Sequence, residues 1–486
     1  MNSAQEERIA RWLQEETDEE VIGGDADEDE GEETVPQISE HETDTEEDGD
    51  SDSETVAEDQ NMTSDGEDDI PVSYFQSSAC YVVKRKLRNG RIETVYRWKK
   101  QPTPPTCRTR RQNIVTHLPG PKNICSGVDT AEKAWKLLFS NEWLQKIVNY
   151  TNLKIQSQKQ NYQRDRDTAE TNMIEIRALI GLLYLIGLYK SSHVHVDDIF
   201  STDGTGLDIC RAVMSVQRFK FLMRHLRFDD LNTRDERKAV DKLAPIRELI
   251  EEFVQASQQC YSVGEYVTLD EMLDPFRGKC SFRQYMPNKP AKYGIKIQAL
   301  VDARLFYTIN LEVYVGVQPA GPYAVDNSTT AVTKRMIQPI SGTGRNVTMD
   351  NWYTSVPLAE DLLTQHNLTV VGTIKKNKPE IPDDFKKKGR EVSSSLFGFG
   401  KNHSTLVSYC PKKNKVVLLL STMHDDASVD EGTPKRLPEI ISFYNSTKGG
   451  VDVVDRLKLN YSRVLILPNW PVSPEDQRWG VAICLD

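Results

Sequence analysis

The sequence lacks three features that mark common classes of protein. Its eight cysteines are scattered and form no C-x-x-C pair, so the sequence predicts neither a zinc module nor a disulfide framework, and the reduced thiols of the cytosol or nucleus fit best. Its longest apolar run, ALIGLLYLIGLY at 178–189, is too short to span a bilayer. The N-terminus is acidic instead of basic and then apolar, so we expect no secretory signal.

Basic residues are almost absent from the first 70 positions. Residues 1–70 hold 29 Asp and Glu against two Arg, a net charge of −27, and because the whole chain carries −12, the remainder carries +15. The scarcity of large apolar residues and the like-charge repulsion predict a disordered acidic tail over 1–70. The basic remainder predicts a polyanionic partner.

Residues 71–127 read as a basic, proline-containing linker or arm. Within it, residues 84–111 carry 11 Lys and Arg against one Glu, with Tyr96 and Trp98 interleaved. Three prolines at 102–105 prevent a continuous helix. The composition indicates a nuclear-import signal, a DNA-contacting arm or both, with a solvated linker as the alternative.

The periodicity of apolar residues changes near residue 263. Before it, runs such as TAEKAWKLLFSNEWLQKIV are helical and predict an all-α domain over 128–263. After it, β-rich runs such as YGIKIQALVDA and a helix capped by Ser355 predict an α/β core. A predicted hairpin at 404–422 interrupts that core. The rest of the chain therefore divides into the first part of the core at 264–375, an insertion domain at 376–440, a helix completing the core at 441–462 and an atypical tail at 463–486.

Three aspartates stand at distinctive points. Asp270 is predicted to end a strand in VTLDEM, Asp350 to end another in VTMDNWY, and Asp452 to lie near the start of a helix in KGGVDVVD. Two carboxylates on neighbouring strands that face a third on a packed helix can hold two Mg²⁺ ions roughly 4 Å apart, an arrangement suited to phosphoryl transfer. Asp455, one helical turn further on, is a candidate auxiliary ligand or a residue that supports the ligands from behind them. The alternative for any single aspartate is a cap or turn residue.

Several long motifs resemble the piggyBac transposase family in order and spacing. They are VTLDEMLDPFRGKCSFRQYMPNKPAKYGIKIQALVDA, VTMDNWYTS, VVGTIKKNKPEIP and YNSTKGGVDVVDRL, and the resemblance covers about residues 130–462. It implies an RNase H-like catalytic core with an inserted β-rich subdomain, preceded by a helical domain for dimerisation and DNA binding. It also implies a DNA transposase that cuts transposon ends through hairpin intermediates and joins them at TTAA targets.

The resemblance also implies roles for particular residues. The family's acidic triad falls on Asp270, Asp350 and Asp452 as catalytic residues and ligands of two Mg²⁺ ions, with Mn²⁺ as a substitute, and Asp455 matches a fourth family aspartate. Trp352 is expected either to stack on a flipped base or to pack under the following helix. Basic side chains suited to the DNA backbone, with ordinary surface residues as the alternative, are Arg277, Lys279, Arg283, Lys289, Lys292 and Lys296.

The implied partners are double-stranded DNA and a second copy of the chain, in the nucleus, with neither a membrane nor a small-molecule substrate. The chain departs from the family after Ser462, where family members continue with a basic helical segment and a cysteine-rich zinc-binding domain. Three prolines at 468–474 forbid a long helix there. We therefore expect a weakened homodimer and impaired transposition. The rival expectation is a domesticated DNA- or chromatin-binding protein without catalysis.

Overall fold

The computed structural model describes residues 79–87, 91–102, 110, 113–190, 194–278, 280–287 and 289–461. The expected acidic tail at 1–70, the atypical tail at 463–486 and Lys279 lie outside these described residues. No described helix is both long and apolar enough to cross a membrane.

The described strands share no single pattern of apolar and polar residues, because some are buried on both faces and others on one. In chain order they are β1 (Cys80–Lys86), β2 (Ile92–Lys99), β3 (Gly120–Pro121), β4 (Tyr261–Ser262), β5 (Tyr266–Pro275), β6 (Gln284–Tyr285), β7 (Tyr293–Asp302), β8 (Thr308–Val313), β9 (Asn346–Met349), β10 (Thr369–Thr373), β11 (Ser395–Phe399), β12 (Thr405–Lys412) and β13 (Lys415–Ser421).

The described helices concentrate before residue 261. In chain order they are α1 (Ala131–Leu138), α2 (Asn141–Gln158), α3 (Met173–Leu188), α4 (Val196–Ile199), α5 (Asp208–Val213), α6 (Val216–His225), α7 (Arg234–Val240), α8 (Arg247–Cys260), α9 (Thr329–Met336), α10 (Val356–Gln365), α11 (Asp383–Lys386), α12 (Glu439–Thr447) and α13 (Gly450–Tyr461). The structure is thus a mixed α/β fold.

The chain forms two compact units. One takes in the described residues within 1–108, together with 354–360 and 370–445. The other takes in those within 109–353, 361–369 and 446–461. All three aspartates singled out by the sequence lie in the second unit.

In the second unit, residues 131–260 pack as helices around one apolar core. Thr130 caps α1 by accepting the Lys133 amide at 3.2 Å, and Asn172 caps α3 through the amides of Ile174 and Glu175. The apolar face of α3 is fully buried, and it joins side chains of α2 and α6. The core residues with no more than 1% exposure are Leu144, Ile155, Ile176, Leu179, Ile186, Val196, Cys210, Phe219 and Leu222.

A sheet follows in the same unit. Its central strand β5 pairs with β7 in antiparallel fashion over Val267 to Pro275 and with β9 in parallel fashion over Tyr266 to Leu269. Strands β6 and β8 both pair with β7. Because β5 has partners on both sides only as far as Leu269, the sheet opens on one side at the next residue.

The first unit has its own run of paired strands, in the order β1, β2, β11, β12, β13, β10. The expected hairpin at 404–422 is present, since β12 and β13 pair from Thr405 opposite Ser421 to Lys412 opposite Lys415. Ser355 caps α10 as expected, because its Oγ accepts the Leu358 amide at 3.4 Å.

Part of the segment that the sequence analysis interprets as a basic linker or arm is a β-hairpin. Residues 80–99 form the antiparallel hairpin β1–β2, and Lys99 pairs with Phe399 of β11. Trp98 is completely buried, and its Nε1 donates to the Glu380 carbonyl at 2.8 Å. Tyr96 stacks against it with ring centroids 4.7 Å apart. The interleaved aromatics thus face the interior, while the alternate residues Arg97 and Lys99 stay exposed.

Candidate active site

Two of the three aspartates lie side by side on neighbouring strands. Leu269 of β5 pairs with Met349 of β9, so the next residues, Asp270 and Asp350, follow at the same level of two parallel strands. Adjacent strands are about 4.8 Å apart. Asp350 directly follows the end of β9, as expected.

The prediction that Asp270 ends a strand is wrong. Strand β5 continues to Pro275, and Asp270 pairs with Ala299 in the middle of the β5–β7 ladder. The strand continues because Met272 and Leu273 are buried and find partners on β7. What ends at Asp270 is the pairing with β9, which leaves its carboxylate at the opening of the sheet.

Helix α13 brings the third aspartate to this level. A Cβ on Gly450 would lie 2.5 Å from the Thr268 Oγ1, so the helix approaches β5 more closely than any other residue allows. Thr268 Oγ1 also donates to the Thr447 carbonyl at 2.6 Å. Val451 and Val454 pack in one cluster with side chains of β5 and β7. Asp452 lies two residues into the helix from this contact.

The surroundings of Asp270 disfavour the charged form of its carboxyl. Burial raises the pKa of Asp270 well above its usual range, and the charges of Glu271, Asp350 and Asp452 raise it further, while Lys289 opposes the rise. The carboxylate of Asp270 therefore senses both other members of the triad. Among the described residues, no group of three or more His, Cys, Asp or Glu side chains is arranged closely enough to hold a metal ion.

Backbone amides hold two of the carboxylates in place. Asp350 Oδ1 accepts the Trp352 amide at 2.9 Å and the Tyr353 amide at 3.4 Å. Asp270 Oδ1 accepts the Glu271 amide at 2.7 Å. Each of these bonds fixes a side chain to its own strand end or turn, while Asp452 is exposed on its helix.

Asp455 does not join this group. Its Oδ1 lies 3.1 Å from the Nζ of Lys458, which also pairs with Asp274 further along β5. The geometry with Lys458 makes an ion pair without a hydrogen bond, since that oxygen has no hydrogen-bond partner. The charge of Asp455 acts on Lys458 and Asp274.

The predicted basic residues divide into two groups. Lys289 Nζ donates to the Glu271 carbonyl at 3.0 Å and lowers the pKa of Asp270 by its charge, which places it at the triad. Lys296 Nζ lies 4.7 Å from the centroid of the Trp352 ring and 3.9 Å from Glu271 Oε2. Trp352 thus contacts Lys296, and its ring is also 4.6 Å from that of Tyr353.

The second group surrounds Tyr293. The guanidinium carbons of Arg277 and Arg283 lie 5.5 and 5.4 Å from its ring centroid, and Tyr285 stacks on it at 4.8 Å. Both arginines and both tyrosines are exposed. Lys292 is also exposed, in a left-handed turn with φ of 53°.

The structure adds residues that the sequence reasoning passed over. Tyr353 is buried and its hydroxyl donates to Gln298 Oε1. Burial raises the pKa of Tyr353 well above its usual range, and the charges of Glu271, Asp270 and Asp350 add to the rise. Glu271 and Gln298 stand opposite each other in the β5–β7 ladder. Glu271 directly follows Asp270, and Tyr353 comes three residues after Asp350, so their closeness in sequence could have identified both residues.

Comparison with known proteins identifies the class. A family model described as Transposase IS4 matches residues 130–477, which is 15 residues beyond the departure expected after Ser462. The fold resembles one chain in the cryo-EM structure of the piggyBac transposase synaptic complex with hairpin DNA, with a TM-score of 0.67, 37% identity and 73% of each chain covered. The chain belongs to the piggyBac-type transposase family.

Two human proteins are similar in sequence. PiggyBac transposable element-derived protein 3 and the chimeric ERCC6-PGBD3 protein are each 22% identical over 371 residues, or 73% of this chain. The chain spans 60% and 34% of their respective lengths.

Proposed function

We propose that this chain cleaves and transfers DNA strands by metal-assisted phosphoryl transfer, with Asp270, Asp350 and Asp452 as the catalytic carboxylates and TTAA as the target sequence. The observation that carries the proposal is the strand register that sets Asp270 beside Asp350, with the helix of Asp452 packed against β5 at Gly450. The three residues are 80 and 102 positions apart in sequence, and the charges of Asp350 and Asp452 both raise the pKa of Asp270. The solved relative with hairpin DNA supports DNA as the substrate.

The residues present fit divalent cations. Three hard carboxylate oxygen donors that repel one another are the ligand type that Mg²⁺ prefers. When bound, two Mg²⁺ ions, or Mn²⁺ in their place, supply activation of the attacking oxygen and stabilisation of the leaving one. Asp270 and Asp350 would hold a cation between the strands, and Asp452 would approach from the helix. The amides that fix Asp270 and Asp350 limit how these two side chains rotate.

Basic and aromatic side chains would hold the DNA beside these carboxylates. The charge of Lys289 lowers the pKa of Asp270, and we assign to Lys289 the phosphate next to the scissile bond. Lys296 and Trp352 form a cation–π pair that can present either a charge to phosphate or a ring to an unpaired base. Lys279 and the exposed Arg277, Arg283 and Lys292 would track the backbone further out.

The organisation follows from the same family membership. We assign residues 128–263 to dimerisation and DNA binding, 264–375 and 441–462 to an RNase H-like core, and 376–440 to its insertion. The partner is double-stranded DNA, the homodimer is the working form, and the location is the nucleus.

The test is nicking of supercoiled plasmid containing TTAA, with Mg²⁺ or Mn²⁺. We expect relaxed and linear products from the native chain and a loss of at least about 100-fold for Asp350→Asn, because removing a ligand charge removes transition-state stabilisation. Asp430→Asn, a change at an exposed aspartate of the other unit, is the matched control. DNA binding without metal-dependent cleavage would contradict catalysis and favour a domesticated binding protein.

A further inference from the structure

Lys458 is a buried lysine on the helix that carries Asp452. Lys458 is 5% exposed, and its Nζ contacts three neighbouring side chains. It pairs with Asp274 Oδ1, lies 3.1 Å from Asp455 Oδ1 and donates to Met272 Sδ at 3.1 Å. A buried ammonium with this many partners is a built feature of the fold, since an unpaired charge there would be costly.

Two of these partners belong to β5. Met272 and Asp274 stand two and four residues beyond Asp270 and therefore on the same face of the strand. Gly450 brings the start of α13 against Thr268 on that face. The helix is thus fastened to β5 at both ends of the stretch that includes Asp452, by close packing at Gly450 and by charge at Lys458.

The charges of the cluster depend on one another. Burial raises the pKa of Asp274, the ammonium of Lys458 opposes that rise, and the carboxylate of Asp455 adds to it. Two carboxylates therefore share one ammonium in a site with little water. Loss of Lys458 leaves the two carboxylates facing each other, which drives the helix away from the strand.

We propose that Asp274, Lys458 and Asp455 form an ion cluster that positions α13 along β5 and thereby sets the place of Asp452 opposite Asp270. Asp455 is then a positioning residue that acts through Lys458, and it is not a metal ligand. The inference rests on the proposed function, because it assigns roles at the same site. A shift of a catalytic carboxylate by a fraction of an ångström is enough to lower activity strongly.

The test exchanges the charges in the full chain. Lys458→Asp places three carboxylates together, and Asp274→Lys with Lys458→Asp restores an ammonium between two carboxylates. For the single variant we expect amide hydrogen exchange in α13 to rise, and Mn²⁺ affinity measured by paramagnetic resonance to fall, each at least about tenfold. The exchanged pair should recover both to within about threefold. Lys413→Asp, at an exposed position, is the control and should change neither.

Two results would overturn the cluster. One is unchanged helix exchange and Mn²⁺ affinity in a folded Lys458→Asp variant. The other is failure of the exchanged pair to recover either property. If Lys458→Asp does not fold, recovery of folding by the exchanged pair supports the proposal, and its absence contradicts it.

A double-mutant cycle separates positioning from metal ligation by Asp455. A positioning residue acts through Lys458, so Asp455→Asn should weaken Mn²⁺ binding in the native chain but have little effect in a Lys458→Met background. A ligand would lose the same factor in both backgrounds. A native chain that binds no Mn²⁺ and nicks no DNA would refute the proposed function. Hydrogen exchange needs neither metal nor DNA, so it would still test the ion cluster in that case.

Discussion

At the scale of the residue, the proposed chemistry depends on the carboxylates of Asp270, Asp350 and Asp452. Asp270 is the member that senses both others, and its pKa rises because burial and three negative neighbours disfavour its charge. A raised carboxyl pKa means that the folded state is most favoured while this group is protonated and loses stability as the pH rises through its folded pKa. In the absence of metal, the site therefore opposes folding at neutral pH.

Asp270→Asn should therefore stabilise the metal-free protein at pH 7. We expect the melting temperature to rise by about 2–4 °C, the change that 1 kcal/mol produces in a domain of 150–250 residues. This gain in stability should vanish at or below about pH 4, where the carboxyl of the native chain is protonated as well. Thermal unfolding across pH checks it, and an equal gain at acid pH would show that charge repulsion is not the cause. Mg²⁺ should stabilise the native chain more than the variant.

Beneath the carboxylates, Tyr353→Phe should destabilise the second unit. The change removes the hydrogen bond to Gln298 and leaves that buried amide without its donor, which costs about 1–3 kcal/mol. Chemical denaturation measures it. The matched control is Tyr285→Phe, at an exposed tyrosine, which should change stability by less than about 0.5 kcal/mol. Equal effects of the two changes would remove the structural role of the buried hydroxyl.

At the scale of the element, the site is a helix fitted against a strand. The sequence predicted Asp350 at a strand end correctly, because β9 is a short strand whose end is visible in the local sequence. It missed the extension of β5, because Asp274 looks like a strand breaker until Lys458, 184 residues later, neutralises it. It also missed the β1–β2 hairpin, because the basic residues and prolines concealed the alternation of inward-facing and exposed side chains along these strands. The partner strand β11 pairs with β2 and is far away in sequence. In each case the pattern of residues within the strand was visible in the sequence, whereas the distant residue or strand that pairs with it was not.

Gly450→Ala tests the close approach of α13 to β5. Its added methyl group would overlap Thr268, so the helix must shift, at a cost of about 1–3 kcal/mol and with loss of cleavage. Gly449→Ala is the matched control, because a Cβ there meets nothing within 4 Å. We expect Gly449→Ala to keep native stability and nicking rate. Thermal unfolding and nicking assays of both variants decide the matter, and two equally harmless changes would disprove the tight contact.

In the first unit, Trp98→Ala should cost about 3–5 kcal/mol, because it empties a fully buried site that also satisfies the Glu380 carbonyl. Limited proteolysis of the hairpin should become faster. Arg97→Ala, the exposed neighbour, serves as control and should leave cleavage of the chain unchanged. Rapid proteolysis of both variants would mean that residue 98 has no special part in holding the hairpin.

At the scale of the whole molecule, negative charge is concentrated in the first 70 residues and positive charge in the rest of the chain. Residues 71–486 carry +15, against −27 in residues 1–70. Binding to double-stranded DNA should accordingly weaken steeply with salt, by about 10³-fold between 50 and 200 mM if six phosphates are contacted. Fluorescence anisotropy over that range measures the slope. Affinity that ignores salt would contradict an interface built on Lys and Arg.

The most direct measurement of the central claim is iron-directed cleavage of the chain itself. Fe²⁺ bound in place of Mg²⁺ reduces added hydrogen peroxide to hydroxide and a hydroxyl radical that cuts nearby backbone, and mass spectrometry locates the cuts. We predict cuts near residues 270, 350 and 452 together, suppressed by excess Mg²⁺ and lost in Asp350→Asn. Cuts at one of these positions without the other two, or at none of them, would contradict a shared metal site at the three carboxylates.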